Sequence, residues 1–488
     1  MAKGIKSIKV NALLNSVRTV LNLIFPLITF PYVSRILLVD ELGKYNFSQS
    51  IVSYFLLIAA LGIDNYAIRE GVKYRDDRKK ISTFASQVFT INIVSTIVSY
   101  VFLAIYICFS AKAKYYLACI LIFSLQIFFT TLGTEWIYSI FEEYTYITVR
   151  SIVFKVISII LLFALVRKPG DYLNYAAVTV FASVGSNILN FVNIRKFCDL
   201  RLTFNFKWKN MLRPIMIIFA SNVAIQIYVN SDTTMLGYMD NDYVVGIYSL
   251  SVKIYTIIKS VLLAALRVAV PRLSLYAGKN QKDEYDSLLL KLTNALLILV
   301  VPAIVGMIML SKNIVLIVGG NNYESSQSSL IILSVAIIFS IFSTLFNTCV
   351  LIPFKREKYS LRSSVASACE NIGLNFFLIP LLAENGAAVT TVFAELTMAF
   401  MNYYSCKDIV KKTFMNKSNF HNIISIVIGS GSIIVTCYFV CTYFKGLIIQ
   451  TIISVFASAF VYAALLLVLR NPVALNFWDE FKRKAHIR

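Results

Sequence analysis

Histidine and acid are both scarce in this chain, which holds two histidines and 25 Asp plus Glu against 46 Lys plus Arg. That leaves little for hydrolytic or metal chemistry. There is no H-E-x-x-H and no carboxylate pair on an extended loop, and His421 and His486 both fall in the C-terminal quarter. A G-x-x-x-x-G-K-[ST] phosphate loop is also missing, along with any soluble domain to carry one, which argues against direct ATP hydrolysis. The eight cysteines (Cys108, Cys119, Cys198, Cys349, Cys369, Cys406, Cys437 and Cys441) include no C-x-x-C pair and read as small apolar side chains. No outside connection exceeds about fifteen residues, too short for the catalytic loop of a membrane glycosyltransferase or polymerase. No cleavable signal peptide is expected, because Lys3–Lys9 leads straight into a long apolar run.

What the chain has instead is apolar surface: 58% of its 488 residues are hydrophobic and the mean hydropathy is +0.73. Only a bilayer solvates that much of it. A helix of about 20 apolar residues crosses a ~30 Å hydrocarbon core. Such runs recur near 11–37, 43–67, 82–109, 115–140, 147–166, 173–194, 213–238, 244–269, 287–310, 327–351, 361–382, 387–406, 421–443 and 447–469. Membrane barrels show ~10-residue alternating segments instead. The expected fold is an all-α integral membrane protein of about fourteen spans.

The formal charge of +21 suggests nucleic acid until its placement is examined. Basic residues concentrate in alternate connections: Lys3/Lys6/Lys9, Arg69 to Lys80, Arg195 to Lys209, Arg272 to Lys282, Lys355 to Arg362, Lys407 to Lys417, and the tail Lys482/Arg483/Lys484/Arg488. The other connections hold few, and one is an acidic turn at Asp240 and Asp242. This positive-inside asymmetry puts both termini in the cytoplasm and removes the need for a nucleic-acid partner.

Gly43-x-Tyr45-x-x-Ser48 opens the second span, and Gly246-x-Tyr248-x-x-Ser251 opens the eighth. Six helices separate them, so the chain parses as two parallel six-helix halves plus two helices, the usual framework for a substrate cavity between halves. The expected divisions are 1–200, 201–415 and 416–488. A glycine and an interfacial tyrosine merely suiting a helix entry is the plainer reading.

Polar stripes mark where a cavity would lie, since an intramembrane charge costs at least ~2.5 kcal/mol unless it meets a partner or water. The first helix carries Asn11, Asn15, Arg18, Asn22 and Thr29, and the seventh Asn222, Gln226, Asn230 and Thr233 beside Asp232. The eighth carries Ser249, Lys253, Thr256 and Lys259, with Arg267 nearer the cytoplasm. Arg18, Lys253 and Lys259 are the expected anion-attracting patch; the alternatives are snorkelling for Arg18 and Arg267 and acid pairing for the lysines. Glu135, Asp232, Glu370 and Glu395 are the coupling-ion candidates, among further buried polar groups Lys155, Asn371 and Asn375. A membrane carboxylate can carry a proton, hold sodium or pair with lysine. Asp64 and Glu70 are expected to organise Arg69 and Lys73.

The run Phe30-Pro31-Tyr32-Val33-Ser34-Arg35-Ile36-Leu37, then Gly43-x-Tyr45, then Leu61-Gly62-Ile63-Asp64-Asn65-Tyr66-Ala67-Ile68-Arg69-Glu70 resembles the opening of bacterial polysaccharide flippases of the Wzx type. These belong to the multidrug/oligosaccharidyl-lipid/polysaccharide exporter superfamily. Glu135-Trp136-Ile137-Tyr138 before Glu142-Glu143-Tyr144, and Asp232 through Gly237 before Gly246-Ile247-Tyr248-Ser249, are similar to later landmarks of that family. The resemblance implies translocation of undecaprenyl-pyrophosphate-linked oligosaccharide repeat units for O-antigen, capsule or a related glycan across the bacterial cytoplasmic membrane. It implies two six-helix lobes around a central cavity lined by helices 1, 2, 7 and 8. Membrane lipids, a polysaccharide polymerase and a chain-length regulator are the implied partners. No cofactor is implied, and a proton or sodium gradient is the candidate drive. Multidrug-extruding relatives typically place an acid on helix 1, where this chain offers Arg18. A multidrug or ion-coupled exporter is the alternative, and a membrane glycan polymerase or transferase the weaker one.

Overall fold

A computed structural model describes residues 25–204, 208–414 and 417–484. Among them every regular element is helical. Among the described residues, twelve helices are long and apolar enough to cross a bilayer. The first run of the sequence, 11–37, is described only from residue 25, as α1 (25–36). Then follow α2 (Val39–Ala60), α3 (Ile63–Gly71), α4 (Arg78–Phe109), α5 (Leu117–Gly133), α6 (Glu135–Ile140), α7 (Tyr144–Leu165), α8 (Tyr172–Val184) and α9 (Asn187–Asn193). The rest of the chain forms α10 (Trp208–Met239), α11 (Asp242–Leu262), α12 (Ala264–Gly278), α13 (Lys282–Met309), α14 (Ser326–Leu345), α15 (Glu357–Phe414), α16 (Lys417–Tyr443), α17 (Leu447–Val468) and α18 (Pro472–Lys484).

The long α15 is a hairpin. Ala383, three residues after Pro380, leaves helical geometry at φ 49°, ψ −126°. Hydrogen bonds then join residues on either side of it in antiparallel order: Thr390 Oγ1 to Asn375 Oδ1 (2.6 Å), Ser367 Oγ to the Ala394 carbonyl (2.7 Å) and Ser363 Oγ to Asn402 Oδ1 (2.6 Å). Its arms correspond to the eleventh and twelfth apolar runs. Lipid provides no hydrophobic drive between helices, so small polar side chains of this kind supply the specific adhesion. The same device joins α4 to α2, where Asn92 and Ser95 donate to the Ala59 carbonyl and Ser99 to that of Phe55. Large apolar side chains such as Val101, Ile160, Phe400 and Phe460 point outward, an arrangement suited to lipid and not to water.

Packing divides the chain into two compact units, Met1–Gly246 and Ile247–Arg488. In the first, Ile63, Tyr66 and Ala67 of α3 pack with Phe84 of α4, Trp136 of α6 and Ile215 of α10. In the second, Ile433 and Cys437 of α16 pack with Tyr462 and Leu466 of α17. The division near residue 200 follows the sequence repeat and is separate from this packing boundary.

The repeated G-x-Y-x-x-S motif has a definite physical role. A Cβ added at Gly43 would collide with the Asp242 carbonyl oxygen, and one added at Gly246 with that of Val39. The offset of 203 residues relating Gly43 to Gly246 also relates Val39 to Asp242. The contact is therefore reciprocal: within the first unit, the backbone of Asp242 meets α2 at Gly43 and Gly246 meets the backbone of Val39. The tyrosines keep the same relation. Tyr45 bonds Thr179 of α8, in the sixth span, and Tyr248 meets Thr391 of the twelfth at 3.3 Å. The serines differ: Ser48 Oγ donates to the Lys44 carbonyl of its own helix at 2.7 Å, whereas Ser251 bonds Ser329 of the tenth span at 2.8 Å. Both tyrosines are buried, so they are packing residues and not interfacial belts.

Candidate functional site

Two polar faces run along α11. Tyr248, Ser251, Tyr255 and Lys259, at steps of three or four residues, form the inner one. Ser251 Oγ donates to the Ser326 carbonyl (2.9 Å) on α14, while Ser326 Oγ donates to the Ile247 carbonyl (2.9 Å). Tyr255 OH donates to Glu395 Oε1 (3.0 Å), and Lys259 Nζ reaches the same oxygen at 3.1 Å. The Glu395 side chain is only 4% exposed. This face fastens α11 to its neighbours.

Ser249, Lys253, Thr256 and Ser260, at steps of four, three and four, form the second face. None of them is buried, and none makes a hydrogen bond or ion pair among the described residues. Lys253 is half-buried, yet no carboxylate among the described residues pairs with it. Expected to act together, Lys253 and Lys259 lie six residues apart and so point about 120° away from each other. Lys259 is held by Glu395, whereas Lys253 remains available. Removing one member of the Lys259–Glu395 pair strands a charge, which is worse than removing both. K259M should therefore lower the thermal unfolding midpoint of the purified protein by several degrees, and K259M/E395L should recover most of that loss.

On α10, Asn222, Gln226 and Asn230 are all half-buried, with Asn230 Nδ2 donating to the Gln226 carbonyl at 3.1 Å. Asp232 is buried and has a partner. Asn222 lies beside a break between α2 and α3, where Leu61 and Gly62 both take positive φ (46° and 75°) and a Cβ on Gly62 would meet Asn222 Nδ2 at 3.3 Å. Glu70 alone organises Arg69 (3.2 Å) and Lys73 (2.5 Å). Asp64 does not join them. It is exposed, without a hydrogen-bond or ion-pair partner among the described residues, and near enough to Glu135 for their charges to interact. The Leu61-Gly62 pair two residues earlier is the sequence signal for that break.

Glu135 opens α6 after Thr134, whose φ is +40°, and pairs at 2.8 Å with Arg150 of α7, a side chain only 4% exposed. Arg150 also donates to the Ser186 carbonyl (3.4 Å). That buried partner was not foreseen. Glu370 is half-buried and has no hydrogen bond or ion pair among the described residues, while neighbouring Asn371 and Asn375 are bonded to Thr390. Arg18, Asn22 and the side chain of Arg267 lie outside the described residues.

A second feature is apolar: a cavity of about 1170 Å³ in the second unit, lined by Pro302 and Met307 of α13, Ile433 of α16, Tyr462 of α17 and Trp478 of α18. The cysteines are free thiols, and Cys437, on this cavity, only meets Ser458 Oγ at 3.5 Å. No group of three or more His, Cys, Asp or Glu able to hold a metal occurs among the described residues.

A family model described as polysaccharide biosynthesis protein matches residues 8–277, which include both α11 lysines and both repeat motifs. A putative O-antigen transporter of Shigella dysenteriae is 22% identical over 387 residues, 78% of this chain and 95% of that one. Another from Escherichia coli (strain K12) is 22% identical over 386 residues, 77% and 90% of the two chains. In fold, the chain is similar to the lipid II flippase MurJ in an inward closed conformation, with TM-score 0.74, 16% identity, and 94% and 99% of the chains covered. It is also similar to an inward-facing multidrug resistance MATE family transporter, at TM-score 0.63, 11% identity, and 83% and 99% coverage.

Proposed function

We infer, from the premise that this chain belongs to the polysaccharide biosynthesis protein family, that it flips undecaprenyl-pyrophosphate-linked oligosaccharide repeat units across the bacterial cytoplasmic membrane. It is a multi-pass helical membrane protein, and in this reading a transporter whose step makes and breaks no covalent bond. The observation that carries the reading is the open face of α11, on which Lys253 has no anionic partner among the described residues. A half-buried ammonium needs a counter-charge, and a pyrophosphate supplies one through charge-assisted hydrogen bonds. Ser249, Thr256 and Ser260 add hydroxyls beside it. The names of the O-antigen transporter relatives agree with this substrate class.

The remaining roles follow from the same chemistry. Arg18, Asn22, Asn222, Gln226, Asn230 and Arg267 extend the polar path, while Lys259 serves by fixing α11. The apolar cavity beside α16 and α17 suits part of the isoprenoid chain. Alternating access moves the head group, both termini lie in the cytoplasm, and a polymerase and a chain-length regulator receive the product. Glu370, the candidate acid with no partner among the described residues, is the first choice for a coupling proton or sodium ion, ahead of Glu135 and Glu395, which are paired, and Asp232.

Deleting the gene should leave lipid-linked repeat units on the cytoplasmic side of the membrane and remove the surface glycan. Glycan loss without that accumulation, or altered drug resistance with normal glycan, would exclude the reading. E370Q should lower transport with the protein still inserted, read as glycan export per unit of protein. Export equal to wild type would take Glu370 out of coupling.

A further inference from the structure

The last helix, α18, does not continue α17 but is set across helix ends by a built corner. Arg470 takes φ 52°, and Asn471 then caps α18, its Oδ1 accepting from the Val473 and Ala474 amides at 3.0 and 3.1 Å. Pro472 stands at the first helical position, where its missing N–H costs nothing. Asn471 Nδ2 donates to Asn422 Oδ1 (2.7 Å) on α16, and Asn422 Nδ2 to Asn294 Oδ1 (2.9 Å) on α13. Asn471 and Asn422 are fully buried and Asn294 nearly so. Such a fully satisfied chain of amides fixes direction as well as position. The helix accordingly packs on α13, α16 and α17 together.

Besides the acids Asp479 and Glu480, the helix carries residues of two kinds. Phe477 and Trp478 border the apolar cavity yet remain 61% and 43% exposed. One turn on, Lys482 Nζ lies 5.5 Å from the Trp478 ring centroid, and Arg483 and Lys484 follow. Aromatic bodies beside a basic cluster, at the end of a membrane span, are the composition of a helix lying in the headgroup region. A helix held only by its own chain would not need 43% of a tryptophan uncovered, and a basic cluster selects an anionic surface over a neutral one.

We propose that α18 is a membrane-surface helix that binds anionic phospholipid headgroups through Lys482, Arg483 and Lys484, with Phe477 and Trp478 seated at the interface. The proposal is independent of what the protein transports. It is tested by hydrogen–deuterium exchange on the full-length protein in nanodiscs of phosphatidylcholine alone and with about one third phosphatidylglycerol. Exchange of the α18 amides should slow by about tenfold or more in the anionic bilayer. High salt should abolish the difference, as should K482E/R483E/K484E, with α13 and α16 unchanged. The wild-type salt dependence carries the test even where the triple variant inserts poorly. Equal exchange in the two bilayers, or lipid-dependent protection that survives salt, overturns the proposal. Strong protection in both bilayers alike would make the rest of the chain or a second copy the occupant and overturns it equally.

Discussion

Replacing Lys253 with alanine should reduce surface-glycan export by about tenfold to a hundredfold while leaving the amount of inserted protein unchanged. The size follows from a charge-assisted hydrogen bond to a phosphate oxygen, worth about 1.5–3 kcal/mol, or one to two decades in affinity. The selectivity follows from the structure. Lys253 makes no hydrogen bond or ion pair among the described residues, so its loss strands no charge there. K253R keeps the cation and should retain much of the export, whereas K253E places repulsion where attraction is needed and should fall below K253A. Quantified surface glycan, divided by immunoblotted protein, reads all three. Near-normal export from K253A would remove this residue from the substrate path.

The second large effect belongs to the glycine crossing. G43A and G246A each place a methyl group onto the opposite helix backbone, and a carbonyl oxygen cannot rotate away as a side chain can. Overpacking of this kind costs about 1–3 kcal/mol or forces the helices apart. Because the contact is reciprocal, the two substitutions should act in the same direction and with similar size, lowering both the thermal midpoint and export. The double variant should cost less than the sum, since either methyl already separates the same backbones. Gly431 is the control: nothing lies within 4 Å of its added Cβ, so G431A should be neutral or slightly stabilising. A harmless G43A beside a damaging G246A would show that the contact is not reciprocal.

The spans were legible because length and apolarity alone define them, and the hairpin at Ala383 was anticipated as two runs although the helices join there. The repeat was legible as letters. Its meaning needed coordinates, since nothing in G-x-Y-x-x-S says that each glycine meets the backbone four residues before the other. The polar residues of α11 were found but not sorted: steps of three and four leave a six-residue separation ambiguous, and only Glu395, 136 residues away, puts Lys259 on the inner face. Asp64 was misassigned for a related reason. Sequence proximity favoured Arg69 and Lys73, but Asp64 and Arg69 share α3 five residues apart, about 140° around the helix, and Glu70 takes both cations. Arg150 passed unnoticed because a single arginine near a helix start resembles a topology charge until its burial is seen.

The most direct measurement is translocation itself, with purified protein in sealed vesicles carrying undecaprenyl-pyrophosphate-linked oligosaccharide. Wild-type protein should make lipid-linked sugar accessible on the opposite face with its covalent structure unchanged, and K253A should do so at a tenth of the rate or less. Movement at equal rates in both proteins, or none above protein-free vesicles, would contradict the account.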